Sequence, residues 1–155
     1  LMACVLPLGM AIARWGCLFH GCCWGKPTLF PIALIFPSFD GAARPVGVPL
    51  HATQLYLSAF ALITFVALVR YRVSKRRYPG QLLLESFGAL SVGRFFIEFL
   101  RADPRGPAWL SMPLTQWVAL IVALIAITLW WRADKRYPAP PPRPQVGKVE
   151  GKMTI

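Results

Sequence analysis

The chain has 155 residues, 56% of them hydrophobic and only 15% charged, against roughly 45–50% apolar and about 25% charged in soluble domains. A mean hydropathy of +0.52 agrees, and together these values exclude a soluble globular domain, a disordered chain and a small disulfide scaffold. Seventeen Lys and Arg against six acids leave a formal charge of +11, which in so apolar a chain sets membrane orientation or meets anionic phospholipid rather than nucleic acid.

A membrane span needs about 20 mostly apolar residues. Residues 1–19 are apolar apart from Arg14. They read as a truncated span, because the chain opens on Leu1 inside an apolar run, as the C-terminal portion of something longer would. Residues 20–50 are rich in Gly and Pro, and Pro27, Pro31, Pro37, Pro45 and Pro49 forbid a continuous helix. A long loop with short extended or re-entrant pieces is expected there. Residues 51–69, 81–100 and 114–131 are long enough and apolar enough for full spans. The remainder carries Pro138, Pro140, Pro141, Pro142 and Pro144 and reads as a disordered, polyproline-like extension. The fold expected is all-α: a polytopic membrane protein with four transmembrane helices over 1–131, followed by a basic, Pro-rich tail over 132–155.

Orientation follows from the basic residues. The linker after the second span holds Arg70, Arg72, Lys75, Arg76 and Arg77 without an acid, and the tail holds Arg132, Lys135, Arg136, Arg143, Lys148 and Lys152. The long loop has only Lys26 and Arg44, and the loop after Leu100 only Arg101 and Arg105. The positive-inside rule puts the linker and the C-terminus in the cytoplasm and both other loops outside. Every charge within a span except Glu85 then falls in the outer half of the bilayer.

Those charges are Arg14, near the outer end of the first span, and Arg94, Glu98 and Arg101 in the last turns of the third. Spacings of i, i+4 and i+7 put the last three on one helix face. An ionisable residue inside a span costs a few kcal/mol or more, so it faces a cavity or a partner. One reading makes Arg94–Glu98 a packing salt bridge while Arg101 snorkels to the interface. The other starts from Arg14, which has no acid in its own segment. Net positive charge at one depth then calls for a phospholipid phosphate, which guanidinium grips bidentately.

His51, Gln54 and Tyr56 open the second span, and Gln116 opens the fourth. His51 is either an interfacial histidine or, with Gln54 a turn away, a general base suited to neutral pH. Tyr56 fits an interfacial aromatic belt as well as a site. Cys17, His20, Cys22 and Cys23 cluster in sequence, but their spacing matches no common zinc signature, and adjacent cysteines are poor co-ligands in a tight tetrahedral site. No metal and no cofactor are expected. An oxidising outer face allows a disulfide, and small residues there permit close backbone packing.

Three stretches then coincide. Ala13-Arg14-Trp15-Gly16-Cys17-Leu18-Phe19-His20-Gly21-Cys22-Cys23-Trp24-Gly25 resembles the signature of the bacterial prolipoprotein diacylglyceryl transferase family, Gly-Arg-x-Gly-Asn-Phe-x-Asn-x-Glu-x-x-Gly. His51-Ala52-Thr53-Gln54-Leu55-Tyr56 is similar to the family's His-Pro-Thr/Ser-Gln-Leu-Tyr-Glu. Gly93-Arg94-Phe95-Phe96-Ile97-Glu98-Phe99-Leu100-Arg101 is similar to its late Arg-x-x-x-Glu-Phe-x-Arg helix. The resemblance runs over 1–131, roughly the C-terminal half of the family's fold.

This resemblance implies a multi-pass enzyme of the bacterial inner (cytoplasmic) membrane, with its site toward the outer leaflet. Its reaction moves a diacylglyceryl group from phosphatidylglycerol to the thiol of a prolipoprotein lipobox cysteine, and glycerol phosphate leaves. Carried over by motif, His51, Arg94 and Glu98 are the implied catalytic residues. Arg14, Gly25, Gln54, Tyr56 and Arg101 are the implied ligands of the lipid phosphate, with phosphatidylglycerol or another anionic phospholipid as partner. The arginines would neutralise the departing phosphate, and His51 would help deprotonate a thiol of ordinary pKa about 8.5.

The departures are specific. Cys17 and His20 stand where the family has Asn, Cys22 and Leu57 where it has Glu, and Ala52 where it has Pro. They favour an alternative in which the chain is a non-catalytic, lipid-binding subunit assembled with other membrane subunits. Retention of Arg14, His51, Arg94 and Glu98 opposes it. A Cys/His metal or redox protein rests on the Cys17–Cys23 cluster alone.

Overall fold

The computed structural model describes residues 2–37, 46–102, 108–109 and 112–137. Four helices dominate: α1 (Met2–Phe19), α2 (Thr53–Ala67), α3 (Gln81–Glu98) and α4 (Leu114–Arg136). Short antiparallel pairs lie between them, β1 (Ala33–Leu34) with β2 (Leu50–His51) and β3 (Ala108–Trp109) with β4 (Met112–Pro113). Helix α1 packs chiefly on α2 and α3 chiefly on α4, and α3 also touches α1 and α2.

The side-chain distribution is that of a helix bundle in an apolar medium. The buried face of α4 is Ala119, Ala123 and Ala126, spaced by three and four, so its backbone approaches α3 closely. Ile121, Leu124, Ile125 and Ile127 point outward. Helix α2 buries Thr53, Gln54, Ser58, Ala61 and Thr64 with a single large apolar residue, Leu57, while Leu62, Ile63 and Val66 are exposed. Small and polar residues inside with large apolar ones outside is the arrangement expected where lipid, not water, surrounds the helices. Two 23-residue helical stretches, Thr53–Lys75 and Leu114–Arg136, are long and apolar enough to cross a membrane. Helix α1 is shorter in its apolar part, and α3 carries Glu85, Arg94 and Glu98.

Polar contacts tie the helices together. Ser58 Oγ donates to the Ala11 carbonyl at 2.8 Å, and Ser86 Oγ lies 2.9 Å from the Ala3 carbonyl. At the end of the bundle bearing the basic linker, Glu85 is paired with Arg72. It also accepts from Gln81 Nε2 at 3.0 Å and from Trp130 Nε1 at 3.3 Å. Arg77 reaches Asp134 at 2.5 Å.

Element boundaries differ from the expected ones at three places. The second span does not begin as helix at His51, which is in β2; helix starts at Thr53 and runs on through a π turn (Leu68–Arg72) and a 3-10 turn (Val73–Lys75). The basic linker is thus largely helical, which one-turn charge–dipole gains at a helix C-terminus favour. Helix α4 continues through Arg136 rather than stopping near Trp131, so the first residues of the expected disordered tail are ordered, helped by Lys135 over the Trp131 ring at 3.6 Å. The Pro-rich part of the tail, from 138 onward, and the loop positions Arg44, Pro45 and Arg105 lie outside the described residues.

Candidate functional site

At the other end of the bundle the chain after α1 folds back on itself. His20 N donates to Gly16 O, Gly21 N to Leu18 O and Cys22 N to Cys17 O, at 3.0–3.1 Å. Gly21 and Cys23 both have positive φ, 70° and 67°, which turns the backbone sharply. The segment that follows is laced between two others. Gly25 N donates to His51 O, His51 N to Lys26 O, and Lys26 N to Leu100 O, at 3.0, 3.0 and 2.8 Å. Gly25 has no room for a side chain: a Cβ there would sit 2.5 Å from His51 Cβ and 2.8 Å from the Leu100 carbonyl oxygen. Its part is to let three backbones meet.

Helices α1, α3 and α4 line an open cavity of about 510 Å³ whose polar lining is Arg14, Ser91, Arg94 and Thr115, with Met10 and Val118 among its apolar walls. Among the described residues Arg14 finds only soft acceptors, Cys17 Sγ at 3.9 Å and Met10 Sδ at 3.7 Å. Its buried Nε has no hydrogen-bond partner among the described residues. Arg94 Nη2 lies 3.3 Å from Glu98 Oε2, and Arg101 Nε lies 3.9 Å from the same oxygen. Thr115 Oγ1 donates to Glu98 Oε1 at 2.9 Å. Two guanidiniums, Arg94 and Arg101, therefore flank one carboxylate, and with Arg14 on the same cavity wall as Arg94 the described charges at this end of the bundle sum to a positive value. A positive cavity with apolar walls is built for an anion carrying an apolar body.

The expected site residues thus fall into two groups. Arg14 and Arg94 line one cavity, with Glu98 holding Arg94 in place. Arg101 does not snorkel outward, and it does not line this cavity: its side chain is only 4% exposed, against Glu98. Pairing to the Gly25 backbone draws it inward. His51, Gln54 and Tyr56 line the back of the loop rather than the arginine cavity. His51 Nδ1 and Tyr56 Oη share a hydrogen bond of 3.3 Å, and Gln54 Nε2 donates to the Cys22 carbonyl at 2.7 Å.

Thr53, Ser91 and Thr115 are additions from the structure. Thr53 Oγ1 donates to the Cys23 carbonyl at 2.5 Å, so Thr53 and Gln54 together clamp the Cys22–Cys23 turn. Thr115 adjoins Gln116, and that polar pair opening an apolar span was its signal. Ser91 had none.

The three cysteines of this turn also converge, with the sulfurs of Cys17, Cys22 and Cys23 all within 4.8 Å of one another. Burial, reinforced by the neighbouring thiols, pushes the Cys22 thiol up to about 12.

Residues 1–132 match the family model for prolipoprotein diacylglyceryl transferase. The chain is 38% identical to phosphatidylglycerol–prolipoprotein diacylglyceryl transferase 2 of Clostridium perfringens, over 81% of this chain and 47% of that protein. It is 35% identical to the phosphatidylglycerol–prolipoprotein diacylglyceryl transferase of Clostridium tetani, over 77% of this chain and 47% of that protein. It is 38% identical to the one of Gloeobacter violaceus, over 87% and 51%. The chain therefore spans about half the length of the curated relatives it matches. No solved structure matches it. Nothing in these comparisons supports a non-catalytic role.

Proposed function

Because the chain belongs to the prolipoprotein diacylglyceryl transferase family, we propose that the α1–α3–α4 cavity holds the phosphate and upper acyl chains of phosphatidylglycerol. The complete protein would transfer the diacylglyceryl group to a prolipoprotein cysteine. The observation that carries this is Arg14, a half-buried arginine whose Nε is buried without a hydrogen-bond partner and which has no acidic partner among the described residues, on the wall of a cavity shared with Arg94. An uncompensated cation in such a place is costly, and a phosphate diester removes the cost.

In the reaction the cysteine sulfur bonds to the glycerol carbon, the carbon–oxygen bond to phosphate breaks, and glycerol phosphate leaves with the electron pair. Arg14 and Arg94 offset the charge that grows on the departing phosphate, which in comparable sites is worth about 10²–10³ in rate per donor. Glu98 fixes Arg94, with Arg101 and Thr115 fixing Glu98 in turn. His51 is the base that takes the thiol proton, its ring set by Tyr56, while Gln54 and Gly25 hold the loop that carries it to the substrate. In the membrane all four helices span, with the linker around 70–80 and the C-terminus in the cytoplasm. The cavity then opens to the outer leaflet of the bacterial inner membrane.

The deciding experiment is complementation of a strain depleted of its transferase by the complete gene, with Arg14→Ala and Arg94→Ala beside it. Growth and diacylglyceryl-modified lipoprotein are expected from the parent and not from either variant. Failure of the well-expressed parent to modify any lipoprotein would refute the reading.

A further inference from the structure

The transfer chemistry leaves one cluster unused, the thiols of Cys17, Cys22 and Cys23. Cys17 comes from the last turn of α1, and the turn through Gly21 returns the chain so that Cys22 N bonds the Cys17 carbonyl at 3.1 Å. Cys23 then adopts a left-handed backbone, φ 67°, a conformation that residues with a Cβ rarely accept and that is kept where surrounding structure enforces it. Here Thr53 and Gln54 enforce it by holding the carbonyls of Cys23 and Cys22. The three sulfurs are thereby presented on a backbone fixed before any ligand arrives.

Their spacing is informative. Thiolates bound to a small soft ion at about 2.3 Å in a trigonal plane stand about 4 Å apart, and these three lie within 4.8 Å of one another. The donor set is all sulfur: His20 is exposed and is not among the converging ligands. The objection to zinc drawn from the sequence concerned a closed tetrahedron of four ligands. A three-coordinate ion does not meet that objection, and thiolate donors select soft ions. Arg14 Nη1, 3.9 Å from Cys17 Sγ, places a positive charge beside what would be an anionic centre. All three cysteines are half-buried, so an ion has a way in.

We propose that Cys17, Cys22 and Cys23 form a three-thiolate site for a soft monovalent ion of the copper(I) type. Loading exchanges three thiol protons for one cation, leaving a tris-thiolate of net charge −2 next to Arg14, with no change of oxidation state. An occupied site would pin the end of α1 to the turn that Thr53 and Gln54 clamp.

The test uses the full chain purified in detergent under anaerobic, reducing conditions and titrated with copper(I) against a chromogenic chelator. One copper(I) per chain is expected, with ultraviolet thiolate-to-copper charge transfer and three sulfur neighbours by X-ray absorption. Cys17→Ser and Cys23→Ser should each weaken binding at least about tenfold, a loss of the size seen when metal-site groups are removed. Cys4→Ser, on the buried face of α1 away from the turn, should not. Failure to compete with the chelator would overturn the site, as would equal binding in the Cys17→Ser and Cys23→Ser variants. Should those variants not fold, the coordination number of the parent decides alone: fewer than three sulfurs, or a fourth nitrogen or oxygen neighbour, sinks the proposal.

Discussion

The hydroxyl of Ser86 on α3 sits 2.9 Å from the carbonyl of Ala3 on α1, the very carbonyl that Pro7, lacking an N–H, leaves without its partner one turn on. Pro7 and Ser86 are both fully buried. The proline in one helix and the hydroxyl in another are thus two halves of one arrangement. The Ser86 hydrogen is shared with its own helix through Leu82 O at 2.7 Å. Hydrogen bonds between helices in lipid are worth on average about 0.6 and at most about 1.7 kcal/mol, so Ser86→Ala should cost about 1 kcal/mol. In a Pro7→Ala background, where the Ala3 carbonyl regains an intrahelical donor, the same change should cost measurably less. Denaturant unfolding of the four proteins in the cycle reads the difference, and strict additivity would mean the two residues are unconnected.

Arg94 and Glu98 separate a packing salt bridge from a phosphate site. Replacing both, Arg94→Leu with Glu98→Met, should leave a folded, inserted protein, since buried pairs often exchange for apolar residues at little cost. It should also abolish co-purification of anionic phospholipid, quantified by mass spectrometry. Arg94→Lys keeps the charge but loses the fork and should insert normally while losing most activity. Undiminished anionic lipid in a well-folded double variant would reduce the pair to packing.

Gly25→Ala tests the lacing of three backbones. The new methyl would meet the carbonyl oxygens of His51 and Leu100 at 2.7 and 2.8 Å, and backbone atoms cannot swing aside. A loss of about 1–3 kcal/mol is expected, as for other overpacked sites, along with loss of activity. Gly88→Ala is the control, because its nearest neighbour, Ala126 Cβ, is at an ordinary 3.6 Å. Thermal melts in nanodiscs should rank the two clearly.

Tyr78, between the second and third helices, is buried and its hydroxyl has no hydrogen-bond partner among the described residues. Burial first, then the nearby charges of Glu85 and Asp134, raise its pKa above the ordinary tyrosine value. The folded chain therefore holds this proton longer than the unfolded chain does. Stability should be indifferent to this group below about pH 10 and should fall as pH rises from there through the folded value. Tyr78→Phe should flatten that decline and be neutral or slightly stabilising at pH 7, since it removes an unsatisfied hydroxyl. A steeper alkaline decline in the variant would contradict the assignment.

Orientation has its own test. Single cysteines placed in the linker around 75 should react with an impermeant maleimide only when it reaches the cytoplasmic side. Those placed around 28–35 should react from outside. The reverse pattern would put the arginine cavity in the wrong leaflet.

Composition, apolar run length and the placement of Arg70–Arg77 are local quantities, and they were enough to find the helices within a few residues and to mark Arg14, Arg94 and Glu98 as out of place in lipid. The motifs at Arg14, His51 and Arg94 are likewise linear strings and carried the family. What no string carries is which of these residues share a space. Arg14 and Arg94 line one cavity because Ala11, Ala61 and Leu90 let α1, α2 and α3 close together. Arg101 is drawn inward by backbone pairing with Gly25, 76 positions away along the chain. The cysteine triangle depends on two positive-φ residues and on clamps from Thr53 and Gln54. Segment identity follows from transfer energies summed along the chain, whereas the site follows from contacts between segments that only small side chains and satisfied backbone groups at particular crossings permit.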